Sequence, residues 1–549
     1  MNSKIILTAL LCITFLCSFP AQAKRFYVDP AKGSISNDGS ETKPWSTLKE
    51  VFDSGKIETM KFETKPATAQ GAMIVKNPGA PVKAGDTLIL RSGFHGEIVA
   101  IEYYNDDYIT IMAEKGHSPK ISSLELRSCC KWIVKGLTIS PSFVQPYRAK
   151  TLIQFASHNW TGKSYDCIAE ACTAYSVPDA SSWTAAQWDS LSCNGISLPG
   201  NRMVARGIYF KNVRFGITVN GDSCMVENNI VENFAGDGMR GLGDYCTFQY
   251  NTIKNCYAVN SNHDDGFQSW SVGDSGKVGT GVVRGVVLRG NTIINYEDPN
   301  QPHLGTLQGI GCFDGLFEDW RIENNVIITD HWHGITLSGA INCVIINNTV
   351  VDINQEKPGP PWIRISDHKN GTSSSGCIVR NNLTTAMSIS SQGVISDHNI
   401  VVKNYADFFV DYNAGNLHLK NGCPAVDAGV ADLAPAIDRD GIVRPKGSSI
   451  DIGAYEFTTN RILIPTSSER GASTPVQLLN FNGKAIFIFE KPSGFSLSVF
   501  DLTGKRLHYS RGTAKPRVIW QGDDVPNGTF ILRLQTQEET YLSRMVLNR

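Results

Sequence analysis

The stretch Asn260-Ser261-Asn262-His263-Asp264-Asp265-Gly266-Phe267-Gln268-Ser269-Trp270-Ser271 sets two adjacent carboxylates behind a histidine and ahead of a strand-like segment. Adjacent acids repel and neither favours a strand, so the pair calls for a cation or a shared proton to relieve it. Similar residue types recur on both sides: Asp237 and Arg240 precede it, and Gln308, Asp314, His331, His333 and Arg364 follow. An arginine offsets negative charge, an imidazole moves protons near neutral pH, and a carboxylate moves a proton or ligates a hard cation. Acid–base catalysis would draw on Asp237, Arg240, His263, Asp264, Asp265 and His333. Gln268, Trp270, Gln308, Asp314, His331 and Arg364 are candidates to hold a substrate, and Asp237, Asp264 and Asp265 are a candidate Ca²⁺ set.

These residues are far apart in the chain, so a repeating architecture must gather them. "ENNIVEN", "YNTIKN", "GNTIIN", "ENNVIIT", "NNTVVD" and "NNLTTA" share one pattern, which aligns Asn229, Asn251, Asn291, Asn325, Asn348 and Asn382. The intervals are 22, 40, 34, 23 and 34 residues, a bare coil of about 22 with loops added. Five residues before each asparagine stand Cys224, Cys246, Val286, Trp320, Cys343 and Cys377, a set that suits a buried stack in which free cysteine acts as a small apolar group. The asparagines suit a ladder of side-chain hydrogen bonds at turns. Short β segments punctuated by Gly and Asn imply a solenoid, specifically a parallel β-helix.

A third column has the form x-Gly-apolar: Phe215-Gly216-Ile217, Asp237-Gly238-Met239, Asp265-Gly266-Phe267, Gln308-Gly309-Ile310 and His333-Gly334-Ile335. With the apolar residue inward, Thr218, Arg240, Gln268, Gly311 and Thr336 point out, as do the residues before the glycines. Coils stack at about 4.8 Å, so one face collects Asp237, Arg240, Asp265, Gln268, Gln308, His333 and, from "PPWIRIS", Arg364. His263, Asp264, Asp314 and His331 are expected beside them. A merely solvated face would carry more Lys and Glu. Trp270, Phe313, Trp332 and Trp362 border the strip, where they could stack on sugar rings or pack in the core. Insertions around "VGDSGKVGTG", "EDPNQPHLGT" and "NQEKPGPP" fall where cleft walls would rise.

On these motifs, residues 24–457 resemble the right-handed parallel β-helix, pectate-lyase-like superfamily of secreted carbohydrate-active proteins. "RFYVDPAKGSISNDGSETKPWSTLKEV" resembles its opening strand and capping helix, "VKAGDTLILRSGFHGEI" its first coil, and "SSIDIGAYEF" its closing strand. The resemblance implies an all-β fold and a polysaccharide partner, and it marks the reaction only weakly.

The two ends read differently. Residues 1–23 have the Lys4 start, the apolar run Ile5 to Cys17 and the Ala21-Gln22-Ala23 site of a secretory signal, and no other stretch reads as a membrane span. Twelve of the fourteen cysteines remain after it, and Cys167 with Cys172 is a candidate disulfide, as export permits. Residues 458–475, rich in Thr, Ser and Pro, read as a linker. Residues 476–549 alternate as short strands of an expected β-sandwich. "VFDLTGKRL", "VPNGTFILRL" and the basic last strand resemble the sorting domain of type IX secretion cargo, which implies contact with secretion machinery and release to the outside or surface of a Bacteroidetes-like, Gram-negative bacterium. A carbohydrate-binding sandwich is the other reading. The balance of 51 basic against 52 acidic residues argues against nucleic acid as a partner, and a monomer is expected.

Several chemistries fit. β-Elimination on a uronate glycan needs a charge-offsetting group (Arg240 or the Ca²⁺ set) and a base (His333, His263 or an arginine), and it ranks first. Hydrolysis needs two carboxylates; Asp237 and Asp265 one coil apart match a retaining separation of roughly 5–5.5 Å, and Asp264 or Asp314 would give a wider, inverting pair. "DDG" and "HGI" resemble parts of the polygalacturonase signature, whose remainder is missing. C5 epimerisation ranks third, since the "DPHD" string of alginate epimerases is not matched. His331 and His333, with His263, are a possible zinc set. A non-catalytic glycan-binding solenoid remains the reading outside enzymology.

Overall fold

The computed structural model describes residues 23–354 and 356–458 and, beyond them, strand segments between 476 and 547. The expected signal and linker lie almost wholly outside the described residues. Met1–Arg439 with Val443–Glu456 form one unit; Asp440–Ile442 with Phe457–Arg549 form another.

The first unit is a right-handed parallel β-helix with three walls. The front wall stacks Asn194–Leu198, Ile217–Val219, Met239–Gly241, Asp265–Trp270, Gln308–Asp314, His333–Ser338, Trp362–Ser366 and Ala386–Ile389, all in parallel. Met225–Glu227, Thr247–Gln249, Val287–Arg289 and Arg321–Glu323 belong to the second wall, and Ile230–Phe234, Thr252–Cys256, Thr292–Ile294 and Val326–Thr329 to the third. The helix Leu48–Asp53, N-capped by Thr47, buries Leu48, Val51 and Phe52.

The core is stacked by column. Ile217, Met239, Phe267, Ile310 and Ile335 face Val231, Ile253, Ile293, Ile327 and Val350, all buried. Each such side chain stabilises the fold by about 1.5–3 kcal/mol. The glycine column lies between these stacks: a Cβ on Gly216, Gly238, Gly266, Gly309 or Gly334 would come within 2.8 Å of Val231, Ile253, Ile293, Ile327 or Val350 respectively. The inward direction is thus used twice in succession, by the glycine and by the apolar residue after it. That corner is why Asp265 faces outward although it stands two residues from the inward Phe267.

The asparagine column forms the expected ladder. Asn229, Asn251, Asn291, Asn325 and Asn348 each donate Nδ2–H to the Oδ1 of the next asparagine at 2.9–3.0 Å, and Asn382 donates to a seventh, Asn399. Each Oδ1 also accepts a backbone N–H, as Asn291 does from Asn251. The residue before each ladder asparagine holds a positive φ: Asn228, Tyr250, Gly290, Asn324, Asn347 and Asn381 lie between 53° and 61°. Asparagine is among the side chains best suited to that region, which accounts for the repeated "NN".

Two expectations fail here. Cys167 and Cys172 do not pair. Cys167 turns its thiol toward Cys129 Sγ at 3.7 Å, while Cys172 lies beyond the left-handed Ala171 (φ 51°) and faces the Val134 carbonyl. All twelve described cysteines are free and buried. The stretch "SSIDIGAYEF" forms no strand. Its backbone bonds go to scattered loop residues and side chains: the Ile452 and Gly453 amides donate to the Ala425 and Asn381 carbonyls, and Glu456 accepts from the Asp451 and Lys446 amides and pairs with the buried Arg444 at 2.6 Å.

In the second unit, antiparallel sheets join Val476–Phe481, Lys484–Phe489 and Arg517–Trp520, and separately Ser493–Asp501, Arg506–Ala514, Gly528–Thr536 and Thr540–Leu547. Leu497, Val499, Leu532 and Leu534 are buried between neighbouring strands. Among the described residues no helix is long and apolar enough to cross a membrane.

Candidate active site

The front wall places Thr218, Arg240, Gln268, Gly311, Thr336, Arg364 and Ser388 in one unbroken outward register. Asp265 is paired with Gln308, and the Gly238 N–H donates to the Asp265 carbonyl, so Asp237, Asp265, Gln308 and His333 occupy successive coils. This is the expected strip.

Its two acids lie beneath the surface rather than on it. The side chains of Asp237 and Asp265 are both 0% exposed. Asp237 forms an ion pair with Arg240 through Oδ2 and accepts the Asp265 backbone N–H on Oδ1 at 3.1 Å. Arg240 in turn lies over the Phe215 ring, 3.8 Å from its centroid, and 5.6 Å from that of Trp270. Charge pairing below and an aromatic face beside it fix the guanidinium while leaving part of it in solvent.

Asp265 has the corresponding arrangement with His263. Its Oδ2 accepts from His263 Nδ1 at 3.2 Å and from Gln268 Nε2 at 3.0 Å. Its Oδ1 is buried with no hydrogen-bond partner, and so is Gln308 Oε1. Both oxygens occupy the space a side chain on Gly311 would need: a Cβ there would lie 2.0 Å from the first and 2.8 Å from the second. Burial pushes the Asp265 carboxyl well above the usual carboxylate range, and the bond to Asp265 raises the exposed His263 above an ordinary imidazole. With Nδ1 turned to Asp265, His263 presents Nε2 to solvent. Asp237 is also raised, by burial against the opposing effect of Arg240.

Asp264 leaves the strip. It turns inward, accepting from Asn262 Nδ2 at 2.9 Å and meeting Cys256 Sγ at 3.6 Å, and burial raises it to about 6. It therefore has no catalytic position, and the candidate Ca²⁺ set is not assembled, because Asp237, Asp264 and Asp265 each bind different partners. Among the described residues no three His, Cys, Asp or Glu side chains gather closely enough to hold a metal ion. Asp314 also lies apart. It stands beside Trp270 at the far end of the wall and pairs with Lys369.

Beyond Gln308, the strip continues with imidazoles. His331 and His333 stack at 5.2 Å, with Phe313 and Trp362 edge-on to His333 at 4.7 and 5.3 Å. Burial lowers both, His333 to about 4. Trp362 Nε1–H points to His333 Nδ1 at 3.3 Å, and the His333 backbone N–H donates to His331 Nδ1 at 3.1 Å. An amide N–H can only donate, so His331 Nδ1 accepts and its Nε2 carries the hydrogen; the Trp362 indole also lies 3.3 Å from Thr336 Oγ1, which itself meets His333 Nδ1 at 2.8 Å. Arg364 donates to Ser388 Oγ at 2.8 Å and lies over Trp362. Trp332 is left largely exposed.

The near wall of the strip comes from a segment the sequence did not single out. The helix Ala185–Leu191 carries Trp188 onto Tyr257 at 4.6 Å, and its Asp189 bonds Asn260 and Arg214. His303, from the "EDPNQPHLGT" insertion, meets the Trp183 carbonyl at 3.0 Å. Phe215 and Gly311 were aligned in the columns without a role. Gly311 was the one outward glycine there, and that was the available signal.

The chain's residues 194–372 match the family described as right handed beta helix region. Among solved structures, pectate lyase Pel9A is similar at 15% identity over 79% of this chain and 96% of its own, with a TM-score of 0.40. A mannuronan C-5 epimerase A-module from Azotobacter vinelandii is similar at 12% identity over 58% and 91%, with a TM-score of 0.35. A GH136 lacto-N-biosidase from Eubacterium ramulus is similar at 11% over 69% and 68%, with a TM-score of 0.32. No curated protein matches the chain in sequence. The match to the right-handed β-helix region spans the strands that carry Asp237, Arg240, Asp265, His333 and Arg364.

Proposed function

We propose that this protein is an exported polysaccharide lyase that cleaves a uronate-containing glycan by β-elimination in the front-wall groove. The observation that carries this reading is the complete burial of Asp237 and Asp265, each bonded to a solvent-reaching partner, Arg240 and His263. A carboxylate sealed under its own wall does not reach a glycosidic oxygen, so neither acid suits direct attack or protonation. Both suit the task of holding a neighbour in place.

In that role Arg240 lies against the sugar carboxylate and draws charge from C5, which acidifies its proton. His263 Nε2 takes that proton while Asp265 holds Nδ1–H and steadies the imidazolium. The electron pair closes the C4–C5 double bond, the C4–oxygen bond breaks, and the imidazolium returns its proton to the departing oxygen. Gln268 and Trp270 line the approach. Export and delivery through the C-terminal sheets belong to the same reading.

Hydrolysis is the second reading, favoured by one feature, the buried Asp265 with its unpartnered Oδ1. Incubation with a panel of glycans separates the two. Elimination yields new ends absorbing at the unsaturated-uronate band, lost in His263→Ala; hydrolysis yields reducing ends without that absorbance. Glycan binding with neither product would leave a binding protein.

A further inference from the structure

The His331–His333 pair has features that cleavage at His263 does not require. Both rings are half-buried, stacked, and framed by Phe313 and Trp362. His331 Nδ1 accepts the His333 backbone N–H, and the Trp362 indole N–H lies 3.3 Å from both His333 Nδ1 and Thr336 Oγ1. Thr336 Oγ1 sits 2.8 Å from His333 Nδ1 and adds a further hydroxyl there. Neither Nε2 has a hydrogen-bond partner among the described residues; that of His331 is an N–H donor, and that of His333 becomes one when its Nδ1 takes the indole hydrogen. The charged groups near the pair are His263 on one side and Arg364 on the other. Asp330, next in the chain, is turned away to Asn295 Nδ2 at 2.7 Å. A cluster of donors bordered by cations, with no facing carboxylate among the described residues, is complementary to an anion. Four register steps separate Arg240 from Arg364, through Gln268, Gly311 and Thr336. At about 4.8 Å per step that is roughly 19 Å, a span of several sugar units.

We propose that His331, His333 and Arg364 form a second carboxylate-binding subsite, further along the front wall than Arg240, so that the favoured substrate is a continuous polyuronate rather than a glycan with isolated uronates. This deepens the lyase reading and rests on it for the position of cleavage. Neutral imidazoles suit the task, because they grip a carboxylate without adding the charge that would bind any anion.

The test uses the full chain silenced by His263→Ala and titrated calorimetrically with saturated oligogalacturonates, oligomannuronates and oligoguluronates of increasing length, beside their carboxyl-reduced counterparts. Affinity for one of the acidic series is expected to step up about tenfold once the chain spans the strip, and the reduced series to show no step. His331→Phe and His333→Phe remove the step. His333→Gln, which keeps an N–H at similar reach, retains most of it. Nitrogen-15 NMR reports both rings as Nε2–H tautomers near neutral pH, a readout that holds even if the Phe variants fail to fold. An unchanged step in folded Phe variants, an equal step for the reduced series, no oligouronate binding, or Nδ1–H tautomers would overturn the proposal. If the step is present but the unsilenced protein yields no unsaturated ends from any polyuronate, the cleavage reading falls and the subsite stands.

Discussion

At the asparagine corner every coil from Asn229 to Asn399 places the same side chain in the same bonds. At the front-wall corner the equivalent position is occupied in turn by Phe215, Asp237, Asp265, Gln308 and His333. Both corners are set by one repeat and both are largely buried. In the ladder each Oδ1 and Nδ2 finds its partner on the adjacent coil, whereas the strip leaves Asp265 Oδ1 and Gln308 Oε1 unpartnered and several titrating groups displaced from their ordinary range. A solenoid can repeat its stabilising corner without variation and use the variable one for chemistry, because each coil contacts only its neighbours.

This contrast predicts opposite responses to substitution. His263→Ala, on the strip, is expected to lower turnover by about 10²–10⁴ while shifting stability by no more than about 0.5 kcal/mol, as for other exposed sites. Steady-state rates beside thermal unfolding check both. Asn291→Leu, on the ladder, reverses the pattern. It strips partners from the Asn251 amide, the Asn251 Nδ2, the Phe248 carbonyl and Asn325 Oδ1, at a cost of about 3 kcal/mol or more in chemical denaturation, with activity per folded molecule little changed.

Asp264 lies between the two cases, since it is buried beside the strip but outside its chemistry. Its folded pKa of about 6 stands above the unfolded value of about 3.9. The native state therefore holds the proton more tightly between those values, and the associated stability is present below about pH 4 and lost as pH rises through about 6. The slope is about 1.4 kcal/mol per pH unit, and Asp264→Asn should flatten it in denaturation followed across that window. Gly311→Ala is the smallest expected change, at about 1–3 kcal/mol of stability with a fall in turnover, since its Cβ needs the space held by Asp265 Oδ1. Unaltered turnover would disconnect that space from the site.

What the sequence made legible follows the period. The ladder and the cysteine stack were readable because they recur at one offset, and the register from Thr218 to Thr336 because each of its strands carries the x-Gly-apolar triplet. The departures depend on contacts that carry no period. Asp264 turns inward toward Cys256 and Asn262 while Asp265 turns outward, and no propensity separates two adjacent aspartates. The sealing of Asp265 requires Gly311 two coils on from Asp237, and the seat of Arg240 requires Phe215 one coil before it. The closing segment forms no strand because its Ile452 and Gly453 amides go to the separate carbonyls of Ala425 and Asn381, and its Asp451 amide to the Glu456 side chain.

The central claim is that a buried carboxylate works through the exposed imidazole above it. The pH dependence of elimination in the wild type and in Asp265→Asn tests this most directly. A base must be neutral, and Asp265 raises His263, so wild-type kcat/KM should climb with pH through a midpoint above the ordinary imidazole value of about 6.5. In Asp265→Asn the rate should fall by about 10²–10⁴, and the midpoint should move to lower pH as the raising bond is lost. An unchanged midpoint, with either a preserved or a reduced rate, would contradict the account.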